Sequence, residues 1–451
     1  MTDSPTTFAE VLLLRAEDDH PGLLFEDSRW SWRELVQECT DRSEILLELR
    51  RPGRPFHVGV LLENVPEFLF LIGAAALSGA TVVGINATRR GEELAADIRG
   101  VDCDVIVTDT TLVGLLDGLD TGVAEDRVFT IEGPQWTERL NRHRDAELRI
   151  TEEASDPRTT LLLLFTSGST GAPKAVICST GRLAGLAAAN IMNLTRDDVS
   201  YNAMPLFHGN AVMASFAPTA LADGTVAMRR RFSASGFLPD VRKFGATFFN
   251  YVGRSLAYIL SVPESPEEPN TTLRAGFGTE AAPRDRSEFE RRFGVAPTEN
   301  YGSSEGAVII MRTPETPPHA LGLPPGHLRA QIQDALGQEC PPAEFDENGV
   351  LLNAAECIGE SSTQTGRRCS RATTTTPRPA PSGWTAPLTT PGTSATATRK
   401  ASSTSPDAPG TGCGWTVKTS PAARSSGSWP GCPACSWSRS TPCPTPEPAT
   451  R

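Results

Sequence analysis

Short apolar runs alternate with helical patterns along the first part of the chain. The runs at 57–62, 104–108 and 161–165 are strongly apolar and brief, as in strands that are buried on both faces. Between them, residues 66–77 and 92–98 have the spacing of helices that pack on a sheet. This alternation predicts an α/β fold with mostly parallel, helix-covered sheets.

One uncharged stretch requires a choice between a membrane span and a buried core. Residues 68–85 carry no charged side chain, which reaches the lower length limit for a membrane-spanning helix. The stretch ends with Gly79 and Gly84 around the β-forming run Thr81-Val82-Val83, a pattern typical of a turn and a strand. We therefore predict a buried helix, a turn and a buried strand, and no transmembrane span.

The composition of the chain changes near residue 360. Residues 361–451 contain only two aliphatic side chains, Leu388 and Val417, yet they hold 14 of the 37 prolines and five of the ten cysteines. They carry a net charge of +8, so the −12 of the whole chain leaves −20 for residues 1–360. So little apolar surface cannot offset the conformational entropy of folding. We predict an ordered lobe over 1–360 and a disordered tail over 361–451.

The content of the tail indicates a change of reading frame just after Glu360. Four tryptophans, at 384, 415, 429 and 437, are unusual for a Pro/Ser/Thr-rich tail. Reverse translation with one constant offset gives protein-like strings from the segments around 369–376, 388–394 and 411–420. These strings are Leu-Phe-Glu-Gly-Tyr-Tyr-Asn-Asp, Tyr-His-Ser-Gly-Asp-Leu and Trp-Met-Arg-Val-Asp-Gly-Glu-Asn-Leu. A true low-complexity tail would give unrelated strings, so we favour the frameshift.

The charge and the first residues of the chain argue against two classes of protein. A strongly acidic main region offers no basic face for a phosphate backbone, so we predict no nucleic-acid binding. The first twenty residues contain five acidic side chains and lack the basic start and apolar run of a secretory signal. We expect a cytoplasmic protein that binds small molecules.

The apolar run at 161–165 leads directly into a loop of small residues. The loop reads Thr166-Ser167-Gly168-Ser169-Thr170-Gly171-Ala172-Pro173-Lys174. Its glycines allow close approach of the backbone to an anion, its hydroxyls donate hydrogen bonds, and its lysine adds positive charge. It is not a Walker A loop, because proline precedes the lysine and alanine follows it. The sequence predicts a polyphosphate-binding loop rather than a flexible surface loop.

This loop resembles, over its whole length, the Thr-Ser-Gly-Ser/Thr-Thr-Gly-x-Pro-Lys signature of acyl-CoA synthetases, adenylation domains of nonribosomal peptide synthetases and luciferases. The resemblance extends from about residue 5 to residue 360. It implies the large lobe of an adenylate-forming enzyme, with stacked helix-covered sheets and a small β-barrel-like subdomain. Residues 204–211 are similar to the family segment whose histidine, here His208, borders the acyl pocket and the adenylate.

Two further segments resemble the nucleotide site of this family. In the motif that matches 301–306, the aromatic side chain lies against adenine, the hydroxyl after glycine contacts the acyl phosphate, and the glutamate coordinates magnesium. The chemistry fits, since a flat ring offers a stacking face and a hard carboxylate suits Mg²⁺. Residues 276–283 match the adenine-side segment more loosely, because other members differ at Thr279 and Glu280.

The resemblance implies two groups of site residues. Catalytic roles fall to Thr166, Lys174, His208 and Glu305, and Glu305 is also the implied magnesium ligand. Nucleotide contacts fall to Thr166, Ser167, Gly168, Ser169, Thr170, Gly171, Lys174, Gly278, Thr279, Glu280, Tyr301, Gly302 and Ser303. The implied reaction joins a carboxylate to the α-phosphate of ATP, releases pyrophosphate, and then transfers the acyl group to coenzyme A. Prearranged donors, Lys174 and Mg²⁺ would stabilise the charge that develops at phosphorus.

The branch of the family determines the expected substrate. The offset reading of 411–420 resembles the hinge signature of fatty-acid transport proteins and very-long-chain acyl-CoA synthetases, and residues 86–94 and 207–210 agree with that branch. A fatty or lipid-like acid is therefore the first choice, and peripheral association with a membrane stays open. An aryl- or amino-acid-activating adenylation domain and an inactive nucleotide-binding relic are the alternatives. An acidic residue at the pocket mouth would favour an amino acid, and an apolar tunnel a fatty acid.

The break after residue 360 removes parts that the family uses. The resemblance assigns ribose binding to the aspartate of the Gly-Asp-Leu string, lobe rotation to the hinge, and help in adenylation to a lysine of the small lobe. All three lie beyond the break. We therefore expect impaired catalysis in both half-reactions, because lobe rotation completes the site.

The frameshift hypothesis gives a first testable prediction. We expect the gene to carry an added or missing base near codon 360 relative to the frame that encodes the three recovered strings. Sequencing the gene across this codon in independent isolates is the measurement. A single uninterrupted frame in all isolates would contradict the hypothesis.

Overall fold

The computed structural model of the chain describes residues 4–166, 174–302, 309–313, 315–316, 322–325, 329–346, 350–364, 373–374 and 394–396. These residues belong to the first of the chain's two units, Met1–Thr419. Loop residues 167–173 and most of the predicted tail lie outside the described part.

Strands in the described residues form two large sheets and one small sheet. In chain order they are β1 (Pro21–Phe25), β2 (Ser28–Ser31), β3 (His57–Leu61), β4 (Thr81–Gly84), β5 (Val105–Thr108), β6 (Val128–Thr130), β7 (Thr160–Thr166), β8 (Lys174–Ser179), β9 (Val199–Asn202), β10 (Thr225–Met228), β11 (Phe248–Val252), β12 (Ala275–Thr279), β13 (Thr298–Gly302), β14 (Ile309–Met311), β15 (Arg329–Gln333), β16 (Ile358–Gln364), β17 (Thr373–Thr374) and β18 (Ser394–Thr396). The predicted strands at 57–62, 104–108 and 161–165 are confirmed as β3, β5 and β7.

Helices connect the strands and cover the sheets. They are α1 (Phe8–Leu13), α2 (Trp32–Leu49), α3 (Pro66–Ser78), α4 (Gly91–Gly100), α5 (Pro134–Arg142), α6 (Glu152–Ser155), α7 (Thr180–Ala189), α8 (Gly209–Ala211), α9 (Ala217–Leu221), α10 (Phe237–Phe244), α11 (Ser255–Leu260), α12 (Pro283–Phe293) and α13 (Ala354–Cys357). A π-helix, Val212–Phe216, joins α8 to α9, and short 3-10 turns occupy Val113–Leu116, Glu125–Arg127 and Glu268–Asn270. The two predicted helices are confirmed as α3 and α4.

The first large sheet has seven strands in the order β17-β8-β7-β4-β3-β5-β6. Its centre is parallel, because β7, β4, β3, β5 and β6 all pair in the same direction. Strand β8 returns antiparallel to β7 and starts directly opposite its end, so that Lys174 faces Thr166 in the ladder.

The second large sheet has eight strands in the order β14-β13-β12-β11-β9-β10-β1-β2. Its six inner strands are parallel, and β14 and β2 pair antiparallel at the two edges. The mostly parallel, helix-covered architecture predicted from the sequence is therefore confirmed. Because the inner strands run the same way, β9, β11, β12 and β13 all end at one edge of the sheet.

A small antiparallel sheet follows in the region predicted as a β-barrel-like subdomain. Its strand order is β15-β16-β18, with β16 between the other two. Strand β16 runs across residue 360, and β17 and β18 are the other described pieces of residues 361–451. The disorder predicted for the rest of that region and the domain boundary at 360 stay predictions.

The uncharged stretch 68–85 is buried in the protein core. Helix α3 begins with Pro66, whose missing N–H group costs nothing because the first N–H groups of a helix have no partner within the helix. Gly79 follows its last residue and has a left-handed φ of 75°, which ends the helix. Strand β4 follows after two residues, as predicted. In the described part of the chain, no helix combines the length and apolar character needed to cross a membrane.

A buried ion pair connects helices α2 and α3. The Arg42 guanidinium on α2 donates to both carboxylate oxygens of Glu67 on α3, over 2.8 and 2.6 Å. The indole N–H of Trp136 on α5 donates to the same carboxylate at 2.9 Å, and the Phe70 ring lies 4.8 Å from the guanidinium. Both charges are buried, and although Arg42 also pairs with Glu38, it is the cation that compensates the Glu67 carboxylate.

This ion pair gives a stability prediction. Replacing Arg42 by Met leaves the Glu67 carboxylate buried without its cation, which should lower the free energy of unfolding by about 3–5 kcal/mol. The matched control is Arg33→Met, because Arg33 pairs with Asp19 on the surface, where 44% and 80% of their side chains are exposed. Urea unfolding followed by circular dichroism should show a large shift for the first variant and little for the second. Equal shifts would contradict this account.

Candidate active site

Most of the predicted site residues that the structure describes lie at one edge of the eight-stranded sheet. His208 follows the end of β9, Thr279 ends β12, and Tyr301 and Gly302 end β13. Strands β12 and β13 are direct neighbours, with Gly278 paired to Glu299. Segments that are about a hundred residues apart in sequence therefore converge at the carboxyl ends of parallel strands, where ligands of α/β proteins usually bind.

The ends of the predicted phosphate loop lie in the other large sheet. Thr166 is the last residue of β7 and Lys174 the first of β8, and the two are partners in the antiparallel ladder. The chain that connects them, residues 167–173, lies outside the described residues, and it includes the predicted Ser167, Gly168, Ser169, Thr170 and Gly171. The predicted strand before the motif is confirmed as β7, and the structure adds a second strand, β8, that begins at Lys174. The phosphate contacts of the motif stay predictions.

The two sheets meet at the segment that carries His208. A Cβ atom on Gly84, at the end of β4, would lie only 2.9 Å from the Cα atom of Phe207, so only glycine fits. A Cβ atom on Gly209 would lie 3.7 Å from a methyl carbon of Leu164. Leu164 is on β7, two residues before Thr166. His208 is therefore placed beside the strand that enters the phosphate loop. This junction connects the two groups of predicted site residues.

The imidazole of His208 is held in one orientation by its own chain. His208 is the residue before α8, and its Nδ1 accepts the backbone N–H of Asn210 at 3.3 Å. Because an accepting nitrogen carries no proton, the neutral ring has its proton on Nε2. Burial lowers the pKa of His208 below its ordinary value, which favours the neutral ring at pH 7. The ring can therefore act as a hydrogen-bond donor through Nε2.

Asn64 fixes the turn that leads to His208, and sequence reasoning missed it. It lies three residues after the end of β3 and is 3% exposed. Its side-chain amide donates to the carbonyl oxygens of Met204 at 2.9 Å and Arg229 at 3.1 Å, and its Oδ1 accepts the N–H of Leu206 at 2.9 Å. The sequence did contain a signal for Asn64, namely a polar residue shortly after a strongly apolar strand.

Two more asparagines lie beside His208; Asn210 belongs to the segment 204–211 singled out in the sequence, and Asn250 was missed. Asn250 lies within β11 and is 3% exposed, and its amide donates to the Oδ1 of Asn210 at 2.6 Å. Asn210 in turn donates to the carbonyl oxygen of Tyr251 at 3.4 Å. The signal in the sequence was a polar side chain in the apolar run Phe248–Val252.

The helix after His208 contains the π-helix Val212–Phe216. Pro218 near its end has no N–H group to donate to a preceding carbonyl, which disfavours regular α-helical bonding there. The π-helix lies on the eight-stranded sheet, because the hydroxyls of Ser215 and Ser200 on β9 are 2.8 Å apart. Single π-turns occur frequently at functional sites.

Close packing explains one of the glycines predicted to contact the nucleotide. A Cβ atom on Gly278 would overlap the Tyr251 ring and lie 2.5 Å from the carbonyl oxygen of Tyr251 on the neighbouring strand. The hydroxyl of Tyr251 donates to the carbonyl oxygen of Thr298 at 3.3 Å, so the ring crosses β12 to reach β13. Gly278 is thus required for the sheet itself, and its contact with a nucleotide stays a prediction.

Glu280 has an unusual backbone for a side chain of its type. Its φ of 66° is left-handed, directly after the end of β12. The side chain is exposed, and its carboxylate would lie 3.7 Å from a Cβ atom on Gly253, which follows β11. Such backbone conformations in residues other than glycine cluster at functional sites. Of the two acidic groups that the structure describes on β13 and just after β12, Glu280 is exposed and Glu299 is buried.

A buried acid holds the turn that contains Glu280. The Oε1 of Glu299 on β13 accepts the N–H of Ala281 at 2.5 Å, and its other oxygen lies 3.4 Å from Arg286 on α12. Burial raises the pKa of Glu299 above its ordinary value, although Arg286 opposes this shift. Glu299 therefore ties the end of β12 to β13, and with it the predicted residues on both strands.

The described part of the third motif ends at Gly302. Tyr301 is half-buried and faces Ile310 in the ladder between β13 and β14, and Gly302 is exposed. Ser303 and the predicted magnesium ligand Glu305 lie outside the described residues. Within the described ranges, no group of three or more His, Cys, Asp or Glu side chains is arranged to hold a metal ion.

The fold and the clustered motifs define an α/β protein of the adenylate-forming type. The sequence pattern of the family described as AMP-binding enzyme matches residues 14–358. The chain belongs to this family. The match ends two residues before the predicted break, which agrees with the change of composition at that point.

Proteins similar to this chain carry names that refer to a steroid or to fatty acids. Steroid-22-oyl-CoA synthetase of Rhodococcus jostii is 52% identical over 358 residues, which are 79% of this chain and 64% of that protein. A medium/long-chain-fatty-acid–CoA ligase of Mycobacterium tuberculosis is 42% identical over 357 residues, 79% of this chain and 68% of that protein. Long-chain fatty acid transport protein 5 of Mus musculus is 30% identical over 266 residues, 55% of this chain and 38% of that one. The chain thus spans about two thirds of the length of its most similar relatives.

The same fold is found among solved structures. The ATP-bound MatB from Rhodopseudomonas palustris matches with a TM-score of 0.66 and 21% sequence identity, over 80% of this chain and 70% of that one. At this identity the likeness concerns the fold alone. It confirms the predicted architecture of the large lobe.

The packing of Gly278 gives a prediction that separates stability from binding. Gly278→Ala pushes a methyl group against the Tyr251 backbone, so we expect a loss of about 1–3 kcal/mol in the free energy of unfolding. The control is Gly185→Ala, an exposed position within α7 whose added Cβ meets nothing within 4 Å. It should gain about 0.5–1 kcal/mol. Thermal unfolding of both variants without nucleotide is the measurement, and a stable Gly278→Ala protein would contradict the packing argument.

Proposed function

We propose that this chain carries the ATP-binding lobe of an acyl-CoA ligase that activates lipid-like carboxylic acids. The carboxylate would attack the α-phosphate of ATP to give an acyl-adenylate and pyrophosphate, and coenzyme A would then take the acyl group. The observation that supports this most directly is His208, a neutral N–H donor placed between β7 and the carboxyl edge of the eight-stranded sheet. A donor at this place could stabilise negative charge that develops on the carboxylate and phosphate oxygens.

The proposed roles of the remaining residues follow the order of the motifs. Thr166, Lys174 and the loop between them would hold the phosphates of ATP, and Tyr301 would lie against adenine with Gly278 and Thr279 near it. Glu305 would hold a magnesium ion, which would neutralise charge on the phosphates. With this function we propose a cytoplasmic location, because ATP and coenzyme A are available there.

The proposed substrate class is a fatty acid or a steroid with a side-chain carboxylate. The names of the two most similar relatives described above support these two chemistries equally. Glu280 is the observation that favours the amino-acid alternative, since its exposed carboxylate could pair with an ammonium group. Its position after β12, where the resemblance implies adenine, makes a role beside the nucleotide the better explanation.

The proposal includes a loss of function at the break. The segments that would bind ribose, form the hinge and supply a second lysine are rewritten after residue 360 under the frameshift hypothesis. The chain as given would then bind ATP weakly and turn over little substrate. A form with the frame restored would produce acyl-CoA.

Pyrophosphate exchange tests the proposal on both forms. The substrates are a long-chain fatty acid, a steroid carboxylic acid, benzoate and an amino acid. We expect exchange with the first two in the restored form and almost none in the chain as given, because the latter lacks the parts that complete the site. His208→Ala in the restored form should lower the rate roughly 100-fold, since one donor to the developing charge is lost.

Two results would overturn parts of this proposal. Exchange that is fastest with the amino acid would favour the alternative substrate class. Equal rates for the chain as given and the restored form would refute the predicted impairment. Inorganic pyrophosphate release without any added acid serves as the background control.

A further inference from the structure

Asn250 is an unexpected side chain in the middle of a buried strand. It lies between Phe249 and Tyr251 on β11 and is 3% exposed. Its amide nitrogen donates to Asn210, but its Oδ1 has no hydrogen-bond partner among the described residues. Burying an amide oxygen without a partner costs stability, and an apolar residue of similar size would avoid this cost. The presence of asparagine at position 250 is therefore better explained by the hydrogen bond that it donates to Asn210 and by the segment that this bond holds in place.

The bond from Asn250 leads to His208 through one residue. Asn250 donates to the Oδ1 of Asn210 at 2.6 Å, and the Asn210 amide donates to the carbonyl oxygen of Tyr251 at 3.4 Å. Both contacts tie the side chain of Asn210 to β11. The backbone N–H of the same residue donates to Nδ1 of His208. The position of this N–H thus depends on the link between Asn210 and the strand.

The consequence for the imidazole is chemical. A neutral histidine has two tautomers, and a donor fixed at Nδ1 excludes the one that is protonated at Nδ1. The remaining tautomer carries its proton on Nε2, the ring nitrogen farther from the His208 backbone. His208 can therefore donate a hydrogen bond only from Nε2. If Asn210 moved, the second tautomer would become available, and Nε2 would turn into an acceptor.

We propose that Asn250 is a positioning residue that holds His208, through Asn210, in the tautomer that donates from Nε2. The catalytic meaning of this arrangement rests on the proposed function, in which Nε2 faces the reacting oxygens. The tautomer itself does not depend on that function. It can be measured on the chain as it exists.

A simple structural role for Asn250 is the competing explanation. In that case it would only attach the start of the helix to the sheet, as other buried bonds do. The hydroxyl pair Ser200–Ser215 makes such an attachment between β9 and the π-helix, with both residues fully buried. Ser200→Ala removes one sheet-to-helix bond without touching Asn210, so it is the matched control.

The test variants remove the link at its two ends. Asn250→Leu keeps the volume of the side chain and removes the donor to Asn210. Asn210→Ala keeps the backbone N–H but frees it from β11, and its half-buried position makes folding less sensitive to the change. If Asn250→Leu fails to fold, Asn210→Ala still tests the proposal.

The measurement is the tautomer of His208 in protein labelled with ¹⁵N-histidine. The sequence has six histidines, and His208→Gln identifies the signal. Long-range ¹H–¹⁵N spectra above the titration range should show only the Nε2-protonated form in the unaltered chain and in Ser200→Ala. Both link variants should show a population protonated at Nδ1. A mixed tautomer in the unaltered chain, unchanged spectra in folded link variants, or the same change in Ser200→Ala would each overturn the proposal.

A second readout connects the tautomer to catalysis. In the frame-restored protein, Asn250→Leu should lower kcat for pyrophosphate exchange and leave KM for ATP unchanged, because the altered group acts on the reacting oxygens. Loss of ATP affinity with unchanged kcat would contradict a positioning role. Should the restored protein show no exchange at all, the proposed function fails, while the tautomer result stands by itself.

Discussion

Parallel pairing of β9, β11, β12 and β13 is the constraint on which the candidate site depends. Parallel strands end at the same edge of a sheet, so the segments after them meet although the chain separates them widely. His208 and Tyr301 reach a common edge for this reason. The absence of a Cβ atom at Gly276 and Gly278 is part of the same constraint, since the rings of Phe249 and Tyr251 occupy the space that a Cβ would need. With a different strand order the sequence motifs would be unchanged, but the residues of the candidate site would lie far apart.

Contact between the two large sheets brings β7, the strand before the predicted phosphate loop, next to the segment that carries His208. Gly84 on β4 packs against the backbone of Phe207, and Leu164 on β7 packs near Gly209. The contact at Gly84 needs glycine, because a Cβ atom there would lie 2.9 Å from the Phe207 backbone and would separate the sheets. The segment that carries His208 is therefore shared between the sheets. This shared position supports a mechanism in which one side chain serves both the phosphate and the acyl group.

Buried polar side chains fix the details of the edge. Asn64, Asn250 and Glu299 each bond to backbone or side-chain groups of another segment, and each is nearly inaccessible to water. In such surroundings a satisfied hydrogen bond is strong and a broken one is costly, so these residues orient the turns before His208 and after β12. None of them belongs to a recognisable motif. Their hydrogen-bond partners lie 18 to 165 residues away, beyond the reach of local sequence patterns.

The sequence by itself determined strands β3, β4, β5 and β7, helices α3 and α4, and the family, because apolar periodicity and contiguous motifs are local properties of the chain. It also located the change of composition near 360, close to the point where the family match ends. Only the tertiary structure decided which motifs share an edge, why Gly278 must be glycine, which tautomer His208 adopts, and that Glu280 has a left-handed backbone. These features depend on contacts between distant segments, which exist only after the sheets have formed.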